Sequence, residues 1–206
     1  MLHPFYDPHR QLSIREQGGI FAVEIKDIMD RIRNGEDGAF AELVNPYIER
    51  AYRTSYSLLR SKELAEEVVQ NSMIEVYRCI KEGKEIQYFP TWFNRLISHR
   101  SIDMMRKVIR LRENEFDNDH LGFASGAMDE AIMNETSSEI KSSIHSLENA
   151  AYRNILILYY YQEHTTQEIA DMLNLNLSTV KSHLRRARIM LKEKLIEYPI
   201  LGVNSQ

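Results

Sequence analysis

A single cysteine, Cys79, stands in a chain of 206 residues. It excludes an intrachain disulfide and a cysteine-built metal cluster, and it suits a reducing compartment. Long apolar runs are also lacking. The longest, Ile155 to Tyr161, falls far short of the ~20 residues that cross a bilayer. The first twenty residues hold no apolar core of a secretory signal, so a cytoplasmic protein is expected. There is no glycine-rich phosphate loop, no stretch of strand period and no internal repeat. The seven histidines show no metal-ligand spacing, and no nucleophile stands at a base's spacing. No cofactor is implied, and a non-catalytic protein is expected. Charge of one sign is missing overall: a net charge of −4 excludes a uniformly basic coat for nucleic acid.

The charge that is present is segregated. Residues 91–112 carry +5, residues 113–139 carry −8, and residues 166–195 carry +3. Two basic segments flanking an acidic one point to two polyanion-facing surfaces on separate domains.

The stretch TTQEIADMLNLNLSTVKSHLRRARIMLKEKL, Thr165 to Leu195, reads as two helices with a tight break. Thr165 and Glu168 have the spacing of a capping box. Asn174 tolerates the left-handed conformation that a helix stop needs, and Ser178 is placed to cap the next helix. In that helix Val180, Leu184, Ala187, Leu191 and Leu195 form one apolar stripe. Lys181, Arg185, Arg188 and Lys192 form a separate basic stripe, with Ser182 and Arg186 beside it. This pattern describes a helix-turn-helix whose second helix enters the DNA major groove. A helical hairpin with solvated charges has the same pattern, so domain context decides.

Upstream, helical periodicity starts near Val23 and stops at Asn34-Gly35. A second helix spans about Gly38 to Leu59, with Phe40, Leu43, Val44, Tyr47, Ile48, Ala51, Tyr52 and Leu59 as core candidates. Pro46 inside it is expected to kink or break it. A third helix, Ser61 to Lys81, buries Ala65, Val69, Met73, Val76 and Ile80 and turns Glu63, Glu66, Glu67, Gln70, Asn71 and Glu75 outward. Plain solvation accounts for that acidic face. Glu82 to Pro90 reads as a loop. The fourth helix, Thr91 to Leu111, carries Arg95, Arg100, Arg106, Lys107 and Arg110, with Tyr88, Phe89, Trp92 and Phe93 at its start. Rings beside cations suit single-stranded nucleic acid, where bases stack and cations track phosphates. The rings can equally be core. Core is preferred for Phe93, and both readings stand for Tyr88 and Trp92. The Tyr159-Tyr160-Tyr161 run reads as packing. The expected fold is all-α. An extension (1–20) leads into a first helical domain (21–111), then a flexible acidic linker (112–138), a second domain (139–198) and a tail (199–206).

Taken in order, DGAFAELVNPYIERAYRTSYSLLRSKELAEEVVQNSMIEVYR (37–78), FPTWFNRLISHRSIDMMRK (89–107) and SLENAAYRNILILYYYQEHTTQEIADMLNLNLSTVKSHLRRARIMLKEKL (146–195) cover a little over half the chain. They resemble the extracytoplasmic-function sigma factors of the sigma-70 family, promoter-specificity subunits of bacterial RNA polymerase. The resemblance implies a region 2 domain, a region 4 helix-turn-helix domain, and core polymerase and promoter DNA as partners, commonly with an anti-sigma factor. It places Glu66, Glu67, Gln70 and Asn71 at core polymerase, and the 82–90 loop at a base flipped from the non-template strand. It puts Tyr88, Phe89, Trp92, Arg95, His99, Arg100, Asp103, Arg106 and Lys107 at the opened promoter. Ser178, Thr179, Lys181, Ser182, Arg185, Arg186 and Arg188 fall on the duplex-reading helix. His99 stands where the family often has Asn, Glu148 follows Leu147 where Pro is usual, and Asn174 replaces a frequent Gly. A second reading is a stand-alone helix-turn-helix regulator whose N-terminal part senses or dimerises.

Overall fold

The computed structural model describes residues 24–115 and 138–197, with side chains at 24–111 and 142–195. The extension at 1–20, the tail at 199–206 and most of the acidic linker lie outside the described residues. Helix α1 is helical from 24 to 33 and buries Ile28, Met29 and Ile32. Gly35, at φ 81°, ends it; that left-handed conformation is open to glycine without penalty. Helix α2 (Ala39–Leu59) follows, then α3 (Lys62–Lys81) with the Ser61 hydroxyl accepting the Leu64 N–H, then α4 (Phe89–Glu115). These helices close around Leu43, Val44, Val69, Val76, Ile80, Phe89, Phe93 and Ile97.

The second half runs α5 (Ser138–His145), α6 (Ala150–Leu156), a π-turn (Ile157–Tyr161), α7 (Thr166–Leu173) and α8 (Leu177–Glu197). Its core holds Ile144, Leu147, Ile155, Ile157, Leu158, Ile169, Met172, Val180, Leu184 and Ala187. The same apolar cluster takes in Leu58 and Leu59 of α2 and Ile102 and Met105 of α4. The two halves therefore meet through apolar side chains.

Several expectations give way. Pro46 neither breaks nor ends α2, which runs unbroken through it. Pro46 and Glu42, whose carbonyl loses its helical donor, are both exposed, so water can meet that carbonyl. The buried face of α2 offsets the local cost of roughly 3 kcal/mol. Ile48, expected in the core, is exposed. The loop after α3 ends sooner than expected: Phe89 and Pro90 lie in the first turn of α4, where a missing N–H costs little. Helix α4 also continues to Glu115, into the expected linker. The central apolar helix does not run straight to Tyr161. From Ile157 it widens into a π-turn, closed by the Gln162 N–H on the Ile157 carbonyl at 3.1 Å. Such turns gather at functional sites, and this one aims Gln162 at α2.

Candidate nucleic-acid and polymerase interfaces

The helix-turn-helix is built by local chemistry. Thr165 accepts the Glu168 N–H at 3.2 Å and Glu168 accepts the Thr165 N–H at 2.8 Å, closing the capping box that starts α7. Asn174 ends α7 at φ 52°, ψ 47°, and the Leu175 N–H reaches the Ala170 carbonyl at 2.9 Å. Helix α8 then begins at Leu177. The Asn176 carbonyl accepts its first helical bond, from the Val180 N–H at 3.1 Å. Ser178 is thus in the first turn of α8 and does not cap it. Val180, Leu184 and Ala187 are buried, which fixes the opposite face outward. Ser178, Lys181, Ser182, Arg185 and Arg186 are exposed and Thr179 is half-buried. Arg188 is exposed too, but its guanidinium lies 5.3 and 5.5 Å from the ring centres of Tyr159 and Tyr160. It is held by cation–π contact, and the tyrosine run acts as its seat.

On α4 and the residue before it, Tyr88, Trp92, Arg95, His99, Asp103 and Arg106 follow at steps of three and four, one helical face. Phe89 is not on it. It is fully buried, stacked on Phe93 with centroids 5.6 Å apart and edge-on to Tyr47 at 5.5 Å. No face of its ring is open to a base, so the expected stacking role fails there. Trp92 is half-buried, 6.2 Å from Phe89. Tyr88 is 69% exposed and is the open ring of the group.

Three of the α4 cations, Arg95, Arg100 and Arg106, are engaged by neighbouring helices. Arg100 makes two hydrogen bonds to Glu75 of α3, at 2.7 and 2.6 Å, and this pairing holds the Glu75 carboxyl below its ordinary pKa. Asp103 sits 3.3 Å from both Arg100 and Arg106. Arg95 pairs with Glu168 of α7 at 2.6 Å, and Arg106 donates to the Met172 carbonyl of the same helix. His99 and Lys107 are exposed.

Between these ion pairs lies a buried polar patch. Gln162 donates to Thr54 Oγ1 of α2 at 2.9 Å, and Asn94 of α4 donates to the Gln162 carbonyl at 3.3 Å. Gln162 Oε1 and His164 Nε2 have no protein partner. His164 is 3% exposed. Burial pushes its pKa down from 6.5 to about 4; Glu168 opposes the shift, while His99 and Arg95 add to it.

On α3, Glu66, Glu67, Gln70 and Asn71 are exposed as expected. Sequence reasoning placed Met73 inward but did not carry the outward face on to Ile74 and Tyr77. Met73 packs inward. Ile74 is 66% exposed and Tyr77 44%, so Glu67, Gln70, Asn71, Ile74 and Tyr77 make one stripe with an apolar end.

A chain that is helical and without strands among its described residues, with a ring-led basic helix in its first half and a helix-turn-helix in its second, has the parts of a promoter-binding protein. Two family descriptions match it: Sigma-70 region 2 over residues 43–110 and Sigma-70, region 4 over residues 149–191, together more than half of the chain. The chain is 28% identical to the ECF RNA polymerase sigma factor SigW of Bacillus subtilis over 83% of its own length and 96% of that protein's. It is 26% identical to the ECF RNA polymerase sigma factor SigE of Mycolicibacterium smegmatis, over 76% of this chain and 62% of that one. Among solved structures, the sigma factor RpoE in complex with the anti-sigma factor NepR from Bartonella quintana is similar with a TM-score of 0.49 and 19% identity, over 76% of this chain and 96% of that one. The chain belongs to the sigma-70 family, in its extracytoplasmic-function branch. It is a sigma factor, binding core RNA polymerase and directing promoter recognition, DNA opening and transcription initiation. The stand-alone regulator is not favoured, since the N-terminal half matches region 2 and not a sensor.

Proposed function

We propose that the work is divided by helix, with region 2 at 21–111 and region 4 at 139–198. On α8, Ser178, Thr179, Lys181, Ser182, Arg185 and Arg186 read duplex DNA, with hydroxyls and guanidinium groups positioned for base edges and phosphates. Arg188, seated on its two tyrosines, serves as a phosphate clamp. On α4, Tyr88 and Trp92 take the extruded bases, and Arg95, His99, Arg100, Asp103, Arg106 and Lys107 line the opened strand. On α3, Glu66, Glu67, Gln70 and Asn71 dock on core polymerase, with Ile74 and Tyr77 as the apolar centre of that contact. An anti-sigma factor is a further partner, and the protein works in the cytoplasm; no helix among the described residues is long and apolar enough to cross a membrane.

The observation that carries this division is the exposed cationic face of α8, fixed outward by buried Val180, Leu184 and Ala187. Reconstitution tests it. Core polymerase from the source organism is mixed with the protein and transcription is run on fragmented source DNA. Discrete start sites that need the protein are expected, and Lys181→Ala or Arg185→Ala removes them while core binding persists. Loss of core binding in those same variants would overturn the division.

A further inference from the structure

Arg95 and Arg106 reach across to α7, but Arg100 is braced within the first half. Its Nε and Nη2 donate to the two carboxylate oxygens of Glu75 on α3, at 2.7 and 2.6 Å, and its Nη1 lies 3.3 Å from Asp103 Oδ2. Paired hydrogen bonds of this kind fix the plane of a guanidinium as well as its place. A guanidinium carries more N–H donors than these contacts use. Each Nη of Arg100 keeps an N–H outside them, and the side chain is 43% exposed.

We propose that Glu75 is a positioning residue for promoter opening: from α3 it holds the Arg100 guanidinium in place, so that the outer N–H groups meet a phosphate of the opened strand. The inference rests on the assignment of Arg100 to that strand.

The pair is not needed to join its two helices. Buried Val69, Val76 and Ile80 of α3 already pack with Phe93 and Ile97 of α4, and a part-exposed ion pair adds little to that. Its value lies in where it puts the guanidinium. A long side chain gives up rotamer freedom when it closes on a phosphate, and Glu75 has already taken that freedom from Arg100. Charge alone argues the other way, because a carboxylate beside a phosphate site repels the phosphate. The two effects therefore have opposite signs, and removing the carboxylate tells them apart.

A double-mutant cycle in the reconstituted holoenzyme tests this, at a promoter that the parent protein opens. Permanganate reactivity reads the bubble. Binding to immobilised core is measured beside it, because Glu75 borders the α3 face assigned to core polymerase, one turn after Asn71. Arg100→Ala and Glu75→Ala should each cut bubble reactivity about fivefold, with core affinity within about twofold of the parent. In the Arg100→Ala background, Glu75→Ala should change nothing further. Glu75→Gln keeps the volume and one acceptor, and should fall between the parent and Glu75→Ala. It carries the test if Glu75→Ala loses helical signal. Parent-level or stronger opening by the Glu75 variants, with Arg100→Ala impaired, would show that the carboxylate only repels the strand and would overturn the positioning. A Glu75→Ala defect that persists in the Arg100→Ala background, or that tracks lost core affinity, would overturn it as well. Normal opening by Arg100→Ala itself is a separate failure: it would remove the strand assignment on which the positioning rests.

Discussion

Helices α4 and α8 are both basic and both are proposed to face DNA, yet they hold their charge differently. Lys181, Arg185 and Arg186 of α8 make no ion pair among the described residues, whereas Arg95, Arg100 and Arg106 of α4 are each engaged by a carboxylate or a carbonyl. The difference follows from neighbours. Helix α8 packs on α6 and α7 by small and aliphatic residues and leaves its polar side to solvent. Helix α4 is flanked by Glu75 on α3 and Glu168 on α7. A helix that reads a duplex needs its cations ready. One that must capture a strand only after melting can keep them paired until the strand arrives.

The largest effect that breaks the comparison lies at the start of α4. Phe89→Ala empties a fully buried ring site and should cost about 3–5 kcal/mol of stability. Tyr88→Ala, one residue away, should leave the melting temperature unchanged and weaken strand capture by about 1–3 kcal/mol. Chemical denaturation and strand-binding anisotropy separate the two. A Phe89→Ala variant as stable as the parent would return that ring to the DNA side.

Acid sharpens the comparison next, because it acts where α4 meets the C-terminal half. His164 is faced by Arg95 and His99 of α4 and by Glu168 of α7. Its folded-state pKa, about 4, lies below the unfolded value of 6.5. Its contribution is therefore complete above pH 6.5 and is lost as pH falls from there toward about 4, by at most about 1.4 kcal/mol per pH unit and about 3 kcal/mol in all. Burial raises the Glu168 pKa, but the Thr165 hydrogen bonds with Arg95 and His164 outweigh it and hold it below 4.5. Glu168 thus stays ionised through most of this window. Urea denaturation at pH 7 and pH 5 should show the drop, and His164→Gln should flatten it.

On α8, Arg185→Ala should weaken promoter binding by the holoenzyme about 10- to 100-fold at the base it reads, without changing stability. On α3, Ile74→Ala or Tyr77→Ala should do the reverse. Affinity for core polymerase should fall by about 1 kcal/mol or more, while promoter selection and folding stability stay within about 0.5 kcal/mol. Surface binding to immobilised core measures it. An Ile74→Ala variant that binds core like the parent would leave the apolar end of α3 unexplained.

What was legible in the sequence was local. The capping box, the left-handed Asn174 and the Val180–Leu184–Ala187 stripe each depend on residues within one or two turns, so spacing sufficed. The outward α8 face followed from that stripe. Phe89, Ile74 and Pro46 were misread or missed because burial is decided by distant partners: Tyr47 beside Phe89, the core that takes Met73 and leaves Ile74 out, and the packing that carries α2 through a proline. The seam between the halves joins Thr54 to Gln162 and Arg95 to Glu168. No periodicity marks pairs so far apart in sequence.

The smallest effect concerns the break between α7 and α8, where the left-handed stop at Asn174 was read correctly although α8 starts before the expected Ser178 cap. Asn174 sits in the left-handed region, a conformation costing most residues roughly 1–2 kcal/mol and Asn less. Asn174→Gly should be neutral or stabilise by a few tenths of a kcal/mol, because glycine adopts this φ without penalty and only its greater unfolded-state freedom opposes the gain. Asn174→Ala should destabilise by about 1 kcal/mol, because it keeps a Cβ and has no short polar side chain to bond locally. The turn sets the angle at which α8 leaves α7, and Ile169 and Val180, both fully buried, lock that angle by packing. Asn174→Ala should therefore lower the melting temperature with little change in promoter preference, measured by competition between matched and mismatched promoter fragments. A change in preference at unchanged stability would mean that the turn itself aims the recognition helix and that the packing only follows.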